Sequence, residues 1–241
     1  MAVVQARMTS ARLPGKVLEP ILGSPMLGHI MRRVARSTRV DDVVVATTVE
    51  AEDDPIVDLA AQEGWVLVRG SRDDVLDRYV QAAREMKADI VVRITSDCPL
   101  IDPDLVDAVV AALGSGIDYA SNTLEPRTYP RGLDCEAMTR SALERASRED
   151  DRPAWREHVT PYIYRHPDRF RLRRVANEED ESSHRWCVDV PEDLKLVRSI
   201  YGVIGPDATS WREALAACAA HPEWATINAA VRQKTVGAAE G

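Results

Sequence analysis

The sequence has 241 residues, of which 45% are apolar and 29% are charged. This composition provides a hydrophobic core and a charged surface, and it excludes disorder as the main state of the chain. The 31 basic and 39 acidic residues give a net charge of −8, which argues against a protein that binds nucleic-acid backbones. No segment approaches the ~20 apolar residues of a membrane span, and the N-terminus lacks the features of a secretory signal. We therefore expect a cytoplasmic protein with no membrane or nucleic-acid partner and with reduced cysteines.

The first half of the chain alternates short β-branched runs with amphipathic helical patterns. The predicted elements are, in order, strand 3–4, a helix from about 25, strand 43–46, helix 54–63, strand 66–68, helix 73–86, strand 90–94 and a helix that begins at Asp102-Pro103. Asp102 is predicted to be the N-cap of that last helix, with Pro103 in its first turn. This alternation predicts right-handed βαβ units and a mainly parallel sheet. Such sheets bind ligands beyond the carboxyl ends of their strands.

Beyond about residue 115 the pattern is less regular. Glycine, proline and arginine crowd 122–134, and helices are predicted over 156–166, over 191–201 and from Trp211 onward. At ~150 residues per domain the chain has too few residues for two ordinary domains. We therefore expect a single α/β domain over 1–241.

The loop after the first strand, 5–16, concentrates positive charge. Three cations and two hydroxyls lie in it: Arg7, Thr9, Ser10, Arg12 and Lys16. Arginine pairs bidentately with phosphate and lysine adds a compact charge, so the loop is predicted to bind an anion; the alternative is a solvated basic loop. Neither G-x-x-x-x-G-K-[ST] nor G-x-G-x-x-G is present, which argues against P-loop ATPases and nicotinamide dehydrogenases.

Two aspartates follow predicted strands about ninety residues apart. Asp97 lies where a carboxylate can hold Mg²⁺ against a triphosphate; the alternative is an aspartate that stabilises a turn. Asp189 follows an apolar run, 186–188, which is predicted to be a strand. It precedes a helix, where it can equally form a capping box with Glu192. The spacing alone does not join Asp97 and Asp189 into one metal site.

A third acidic motif, Asp102-Pro103-Asp104, imitates the D-x-D metal motif of nucleotide-sugar transferases. The helix-cap role explains Asp102 better, because it stands directly before Pro103 and an apolar helical pattern.

Seven segments in collinear order resemble the spore-coat-polysaccharide-type cytidylyltransferases, which are related to the CMP-Kdo and CMP-sialic acid synthetases. They span about residues 3–200 and read QARMTSARLPGK, ATT-x-x-EAEDDPIVDLA, RGSRDDVLDRY, VRITSDCPLIDPDLVD, SNTLEPRTYPRGLDCE, REHVTPYIYRHP and HRWCVDVPEDLKLV. The resemblance implies a Rossmann-like GT-A nucleotidyltransferase fold, with a mainly parallel mixed sheet flanked by helices. It implies a nucleotide-binding half (about 1–115), an acceptor and dimerisation part with the second metal aspartate (about 116–205) and a helical tail (about 206–241).

The resemblance also implies an activity. CMP would pass from CTP to a hydroxyl of an acidic sugar or similar anionic acceptor, and pyrophosphate would leave, with Mg²⁺ as cofactor and a homodimer as the assembly. Two alternatives stay open: a glycosyltransferase of the same fold that uses a nucleotide-sugar donor, and a non-catalytic nucleotide-binding module.

The family's motifs assign roles to particular residues of this chain. The implied catalytic residues are Arg12, Lys16, Asp97 and Asp189, the two aspartates being the Mg²⁺ ligands. The implied nucleotide-binding residues are Ala6, Arg7, Ser10, Arg12, Lys16, Asp74, Asp77 and Arg78. The implied acceptor-binding residues are Arg127, Tyr129, Arg131, Asp134, Glu136, His184 and Arg185. Arg131 stands where the family commonly has an acidic residue, so it would favour an acceptor with extra negative charge; the alternative is an arginine that points to solvent.

Overall fold

A computed structural model describes residues 1–233 of the chain. Its strands are β1 (Ala2–Gln5), β2 (Pro20–Ile21), β3 (Ser24–Pro25), β4 (Val43–Thr48), β5 (Val66–Gly70), β6 (Ile90–Thr95), β7 (Tyr119–Ser121), β8 (Glu136–Thr139) and β9 (Leu172–Arg174). Seven of them form one sheet in the order β5-β4-β1-β6-β8-β7-β9, and β2 pairs with β3 in a separate hairpin.

The strands β5, β4, β1 and β6 are parallel to one another. The other half of the sheet is mixed, because β8 is antiparallel to both β6 and β7, while β9 is parallel to β7. The predicted mainly parallel mixed sheet is therefore confirmed. The four parallel strands end at one edge, so the loops that follow β1 and β6 are neighbours there.

Helices cover both faces of the sheet. They are α1 (Met26–Val34), α2 (Asp54–Glu63), α3 (Val75–Glu85), α4 (Pro103–Ala111), α5 (Arg140–Glu149), α6 (Pro153–His158), α7 (Pro161–Tyr164), α8 (Pro191–Ile204) and α9 (Trp211–Ala220). Successive strand residues point to opposite faces. Val4 and Val45 therefore pack with α1, α4, α8 and α9, whereas Val3 and Val44 pack with α3, α5 and α7. Both faces of the central strands are buried, which explains their continuous valine runs.

One helix prediction is wrong. Two short helices, α6 and α7, replace the single helix predicted over 156–166. Val159 between them has φ 69°, a left-handed conformation that a β-branched residue rarely adopts, and Pro161 begins the second helix. The predicted helix 73–86 begins two residues later, at Val75, after Asp74 as its N-cap.

The strand predicted before Asp189 is also wrong. The segment 186–188 pairs with no strand among the described residues; instead Trp186 donates its backbone N–H to the carbonyl of Arg131, and Val188 donates to that of Asp97. The helix α5 and the strands β7 to β9 were not predicted, because they lie in the half of the chain whose sequence pattern is irregular. The tail from Trp211 contains α9, which ends at Ala220 before Pro222, and a 3₁₀ turn, Pro222–Thr226. The helical prediction is wrong for 227–233, which form turns and irregular structure, and 234–241 lies outside the described residues. No helix within residues 1–233 is long and apolar enough to cross a membrane.

Asp102 is the predicted N-cap of α4, and the structure confirms that role. Its Oδ1 accepts from the backbone N–H of Leu105 at 3.0 Å, and its Oδ2 accepts from that of Trp211 at 2.8 Å. One buried carboxylate therefore caps α4 and attaches α9 to it.

We expect Asp102→Ala to lower the free energy of unfolding by about 2 kcal/mol or more, because it removes a helix cap and leaves buried N–H groups without an acceptor. Denaturant unfolding measures the loss. Asp104→Ala, an exposed change in the same first turn, should cost less than about 1 kcal/mol. Equal losses of unfolding free energy in the two variants would show that the two hydrogen bonds of Asp102 do not contribute to stability.

Candidate active site

A cleft of about 880 Å³ opens at the carboxyl ends of β1 and β6. Twelve of the residues that the sequence assigned to a site line it: Ala6, Arg7, Ser10, Arg12, Lys16, Arg78, Asp97, Arg127, Arg131, Asp134, Glu136 and Asp189. Among the described residues its walls carry eight arginine or lysine side chains and six carboxylates. The cleft is thus richer in positive charge than the chain as a whole, whose net charge is −8.

Lys16 brings the two predicted metal aspartates together. Its ammonium donates to Asp189 Oδ1 at 3.0 Å and to the carbonyl of Val188 at 2.6 Å, and it lies 3.9 Å from Asp97 Oδ2. Gly15, directly before it, has φ 72°, a conformation that glycine adopts without steric cost. The basic loop therefore delivers one cation to a point that both carboxylates reach, a convergence that the spacing of the aspartates in the sequence could not show.

The carboxylate of Asp189 has three cationic partners. Besides Lys16, Arg12 Nη2 and Arg185 Nη2 each lie 2.9 Å from its Oδ2. Burial acts to raise the pKa of Asp189, but the charge of Lys16 and the hydrogen bonds from Lys16 and Arg185 outweigh it and hold the pKa below its ordinary value. The carboxylate is therefore ionised at neutral pH.

The capping box predicted for Asp189 and Glu192 is replaced by a different arrangement. The helix α8 begins at Pro191, and the buried carboxylate of Asp193 accepts from the backbone N–H groups of Asp189 at 3.0 Å and Val190 at 3.3 Å. Asp189 does not cap the helix, so its side chain can face the cleft. Asp193 satisfies the helix terminus in its place.

The basic loop is anchored by a residue that sequence reasoning missed. Asp53, buried between β4 and α2, accepts from the backbone N–H of Met8 at 2.6 Å and also from the hydroxyl of Thr48. The segment EAEDDP that contains Asp53 belongs to a recognised motif, but nothing in its pattern indicates a long-range contact with the loop.

Glu136, predicted to bind the acceptor, is held within the cleft floor by the protein itself. Its Oε1 accepts from the Tyr119 hydroxyl at 2.5 Å and the Thr160 hydroxyl at 2.8 Å, and its Oε2 accepts from Arg93. Burial acts to lower the pKa of Arg93, but the charge of Glu136 raises it well above its ordinary value. The two side chains are 14% and 6% exposed, and the ion pair that they form shows that Glu136 serves first to compensate Arg93.

Arg78 is the one buried cleft arginine whose Nε and Nη1 atoms have no hydrogen-bond partner within the described chain. Its stem packs against Gly70, where an added Cβ would lie 2.5 Å from Arg78 Cγ. Burial is the main cause that lowers the pKa of this guanidinium. Buried donors without an acceptor are costly, so Arg78 is positioned to receive an oxygen atom of a ligand.

The segment 127–134 forms another wall of the cleft. Arg127 is engaged internally, since it donates to Asp134 and to the carbonyls of Tyr129 at 3.0 Å and Pro130 at 3.3 Å. The guanidinium of Arg131, by contrast, makes no hydrogen bond or ion pair with another described residue, although it lines the cleft. Gly132, with φ 101°, passes so close to Cys187 that a Cβ would lie 2.4 Å from the Cys187 nitrogen, which ties this wall to the Asp189 segment.

Five predicted site residues do not line the cleft: Asp74, Asp77, Tyr129, His184 and Arg185. Asp74 caps α3 by accepting from the N–H of Asp77 at 2.9 Å, and it also accepts from Arg156 at 2.6 Å. Tyr129 packs edge-on against Trp211, and the ring of His184 packs against Trp186. Arg185 does not face the cleft itself but forms an ion pair with the carboxylate of Asp189, which does.

Other cleft residues escaped the sequence reading. They include Arg93, Glu157, His158, Thr160, Tyr164 and Arg165. Val159, with φ 69° and ψ −55°, and the 2.8 Å hydrogen bond from Thr160 N–H to the carbonyl of His158 form a strained γ-turn. The motif REHVTPYIYRHP contains all of these residues except Arg93, but the continuous helix predicted there would have turned its side chains to different faces.

The sheet order, the cleft at its parallel edge and the paired aspartates define an α/β nucleotidyltransferase. The profile of the cytidylyltransferase family matches residues 1–215, so the chain belongs to this family. A solved cytidylyltransferase from Leptospira borgpetersenii has the same fold, with a TM-score of 0.87 and 33% identity over 92% of this chain and 94% of that chain.

The chain is also similar to several curated proteins. The chain is 34% identical to the uncharacterized protein MJ1063 of Methanocaldococcus jannaschii, with 98% of this chain and 96% of the relative covered. It is 32% identical to the spore coat polysaccharide biosynthesis protein SpsF of Bacillus subtilis, with 86% and 89% covered. It is also 37% identical to the 3-deoxy-manno-octulosonate cytidylyltransferase of Geobacter sulfurreducens, but over only 52% of this chain and 50% of the relative.

We expect Glu136→Gln to lower the free energy of unfolding by about 3–5 kcal/mol, because the amide leaves the buried charge of Arg93 uncompensated. Thermal and denaturant unfolding measure the effect. Glu157→Gln is the matched control, since Glu157 pairs with Arg7 at the exposed rim of the same cleft; its cost should stay below about 1 kcal/mol. If Glu136→Gln is as stable as the control, Glu136 does not compensate Arg93 and a role in acceptor binding alone would be favoured.

Proposed function

We propose that this protein transfers CMP from CTP to a hydroxyl group of an acidic sugar and releases pyrophosphate in a Mg²⁺-dependent reaction. The observation that carries the proposal is the contact of Lys16 with Asp189 and its approach to Asp97. A cation of the basic loop after β1 and two carboxylates that could hold a metal lie together in one cleft, and this supports the proposal. Membership of the cytidylyltransferase family supports the choice of nucleotide.

The basic loop supplies the charge that the triphosphate needs. Arg12 and Lys16 face the same carboxylate from the loop after β1. When CTP binds, Arg12 would exchange its contact with Asp189 for phosphate oxygens, which pair bidentately with a guanidinium. Arg12 and Lys16 would then stabilise the negative charge that develops on pyrophosphate as it leaves.

The residues of the cleft fit a magnesium ion. Mg²⁺ prefers oxygen ligands and is commonly bound by one or two carboxylates together with substrate phosphates and water. No group of three metal-type ligands occurs among the described residues, but two carboxylates, Asp97 and Asp189, line the cleft and lie 3.9 Å and 3.0 Å from the Lys16 ammonium. These two would hold the ion. Bound there, it would neutralise phosphate charge and make the acceptor hydroxyl more acidic.

Arg131 is the acceptor-binding cation that we propose. Of the three arginines implied by the family resemblance, Arg127 is paired with Asp134 and Arg185 with Asp189 and Asp193. Of these three, only Arg131 lines the cleft with a guanidinium that has no partner in the described part of the chain. A carboxylated sugar fits this environment, and the name of the Geobacter sulfurreducens relative, a 3-deoxy-manno-octulosonate cytidylyltransferase, supports an acceptor of that class.

Arg78, which also lines the cleft, is further support for a bound nucleotide. Its unpartnered N–H groups are buried, and CTP offers both phosphate and carbonyl oxygens as acceptors. The rival D-x-D site of a glycosyltransferase loses its support, because Asp102 is buried as the cap of α4 and neither Asp102 nor Asp104 lines the cleft.

Pyrophosphate release in the presence of Mg²⁺, a panel of sugar acids and either CTP or UTP tests the proposed reaction. We expect CTP to be preferred at least about tenfold, because cytosine offers an amino donor where uracil has a carbonyl acceptor, and a mismatched buried edge costs roughly 1–3 kcal/mol. Equal rates with UTP would overturn the base assignment. Release of a nucleoside diphosphate from a nucleotide-sugar, without pyrophosphate, would favour the glycosyltransferase instead.

Asp97→Asn and Asp189→Asn test the metal assignment. Each amide keeps the size of the side chain but removes the charge that holds Mg²⁺, so we expect turnover to be lost, with circular dichroism showing an intact fold. Asp104→Asn is the matched control and should keep wild-type turnover, whereas a D-x-D mechanism would require Asp104. Near-normal rates of Asp97→Asn and Asp189→Asn at limiting Mg²⁺ would refute the assignment.

A further inference from the structure

The chain returns to the cleft after the part that the family profile matches. That match ends at residue 215, within α9. The segment that follows α9 contacts the residues behind Asp189 through two amide side chains, Asn228 and Gln233. On its way the segment packs Trp224 and Ile227 against the core that contains α8 and α9.

Arg185 is the residue that receives both contacts. Its Nε and Nη2 donate to the two oxygens of Asp193 at 3.0 Å and 2.9 Å, and the same Nη2 donates to Asp189 Oδ2 at 2.9 Å. Its remaining nitrogen, Nη1, donates to Gln233 Oε1. The guanidinium therefore has a partner on every nitrogen, and the partner at its outer end comes from the C-terminal segment. Gln233 itself lines the cleft.

Asn228 fixes the same arginine from its backbone side. Its Nδ2 donates to the carbonyl of Arg185 at 3.0 Å and to Asp193 Oδ1 at 2.9 Å, and the side chain is buried. Asp193 in turn accepts from the backbone N–H groups of Asp189 and Val190. One amide therefore links the C-terminal segment to the backbone and the carboxylate on both sides of Asp189.

We infer that the segment 227–233 is part of the active site, in which Asn228 and Gln233 act as positioning residues that hold Arg185 and, through it, the carboxylate of Asp189. The inference rests on the proposed function. Three cations share that carboxylate, and two of them, Arg12 and Lys16, also face the triphosphate site. Arg185 is the one that stays on the protein side when a ligand draws the others away. Its fixed geometry keeps Asp189 aimed at the cleft.

Asn228→Ala and Gln233→Ala test this inference, with Thr226→Ala as the control because Thr226 is exposed and its hydroxyl bonds only to the nearby carbonyl of Glu223. Amide hydrogen exchange over 184–193 reports the position of Asp189 without any substrate. Steady-state kinetics with CTP report its consequence. Melting temperatures identify variants that fail to fold, and Gln233, at the exposed surface, provides a change that cannot empty the core.

We expect Asn228→Ala to speed exchange at the N–H groups of Asp189 and Val190 several-fold and to lower kcat about tenfold, as supporting residues behind metal ligands commonly do. Gln233→Ala should act in the same direction but less strongly, and Thr226→Ala should change neither quantity. Unchanged exchange over 184–193 in Asn228→Ala, or faster exchange with unchanged kcat, would overturn the inference. A wild-type protein that does not use CTP would refute the proposed function, whereas the exchange experiment would still decide whether the segment positions Asp189.

Discussion

The carboxylate of Asp189 is the charge on which the arrangement of the cleft depends. Arg12 and Lys16 approach it from the loop after β1, and Arg185 approaches it from the segment that carries Asp189 itself. Three cations so close together would repel one another strongly in a half-buried site, and one ionised carboxylate compensates them. The pull of these cations also keeps the pKa of Asp189 low against the effect of burial. The carboxylate of Asp189 thus links the basic loop to the segment before α8, on either side of the cleft.

This constraint explains why the flanking backbone is shaped as it is. Gly15 and Gly132 both have positive φ, at 72° and 101°, which glycine adopts without steric cost, and at Gly132 the neighbouring chain also lies too close for a Cβ. Gly15 lets the loop deliver Lys16, and Gly132 lets the wall that carries Arg131 lie against Cys187. A second buried pair, Arg93 and Glu136, stabilises the cleft floor independently. The charged groups that would contact a ligand therefore lie on a floor stabilised by a pair, Arg93 and Glu136, that is engaged within the protein.

Much of the fold could be predicted because its signal is local. Valine runs and helical stripes mark β1, β4, β5 and β6 and the helices between them, and the ligand site lies at their carboxyl ends as such sheets require. Asp102 as a helix cap was also readable, since Asp-Pro before an apolar pattern is a local signature. The second half was harder. Its strands have three or four residues, and the helix predicted over 156–166 overlooked Pro161, which disfavours helix in the residue before it and begins a second helix after the turn at Val159.

The site shows the same division between local and long-range signals. The basic loop and the two aspartates were found from residue type and position, but their meeting at Lys16 depends on tertiary structure. Asp74 and Glu136 are instructive, since both carry functional-looking carboxylates that the fold uses to cap α3 and to compensate Arg93. Asp53 and Asn228 show the opposite case, in which a residue with no functional signature contacts the site. Neither has a chemical signature in the sequence, and their roles come from partners 45 and 43 residues away, Met8 and Arg185.

A crystal structure of the protein with CTP and Mg²⁺ tests the central claim most directly. The account predicts that the triphosphate lies between the basic loop and Asp189, with Arg12 moved from that carboxylate onto phosphate oxygens. Asp97 and Asp189 would face the metal, and Arg185 would keep its contacts with Asp189 and Asp193. A nucleotide bound away from the loop after β1, or a bound triphosphate with no metal near Asp97 and Asp189, would contradict it.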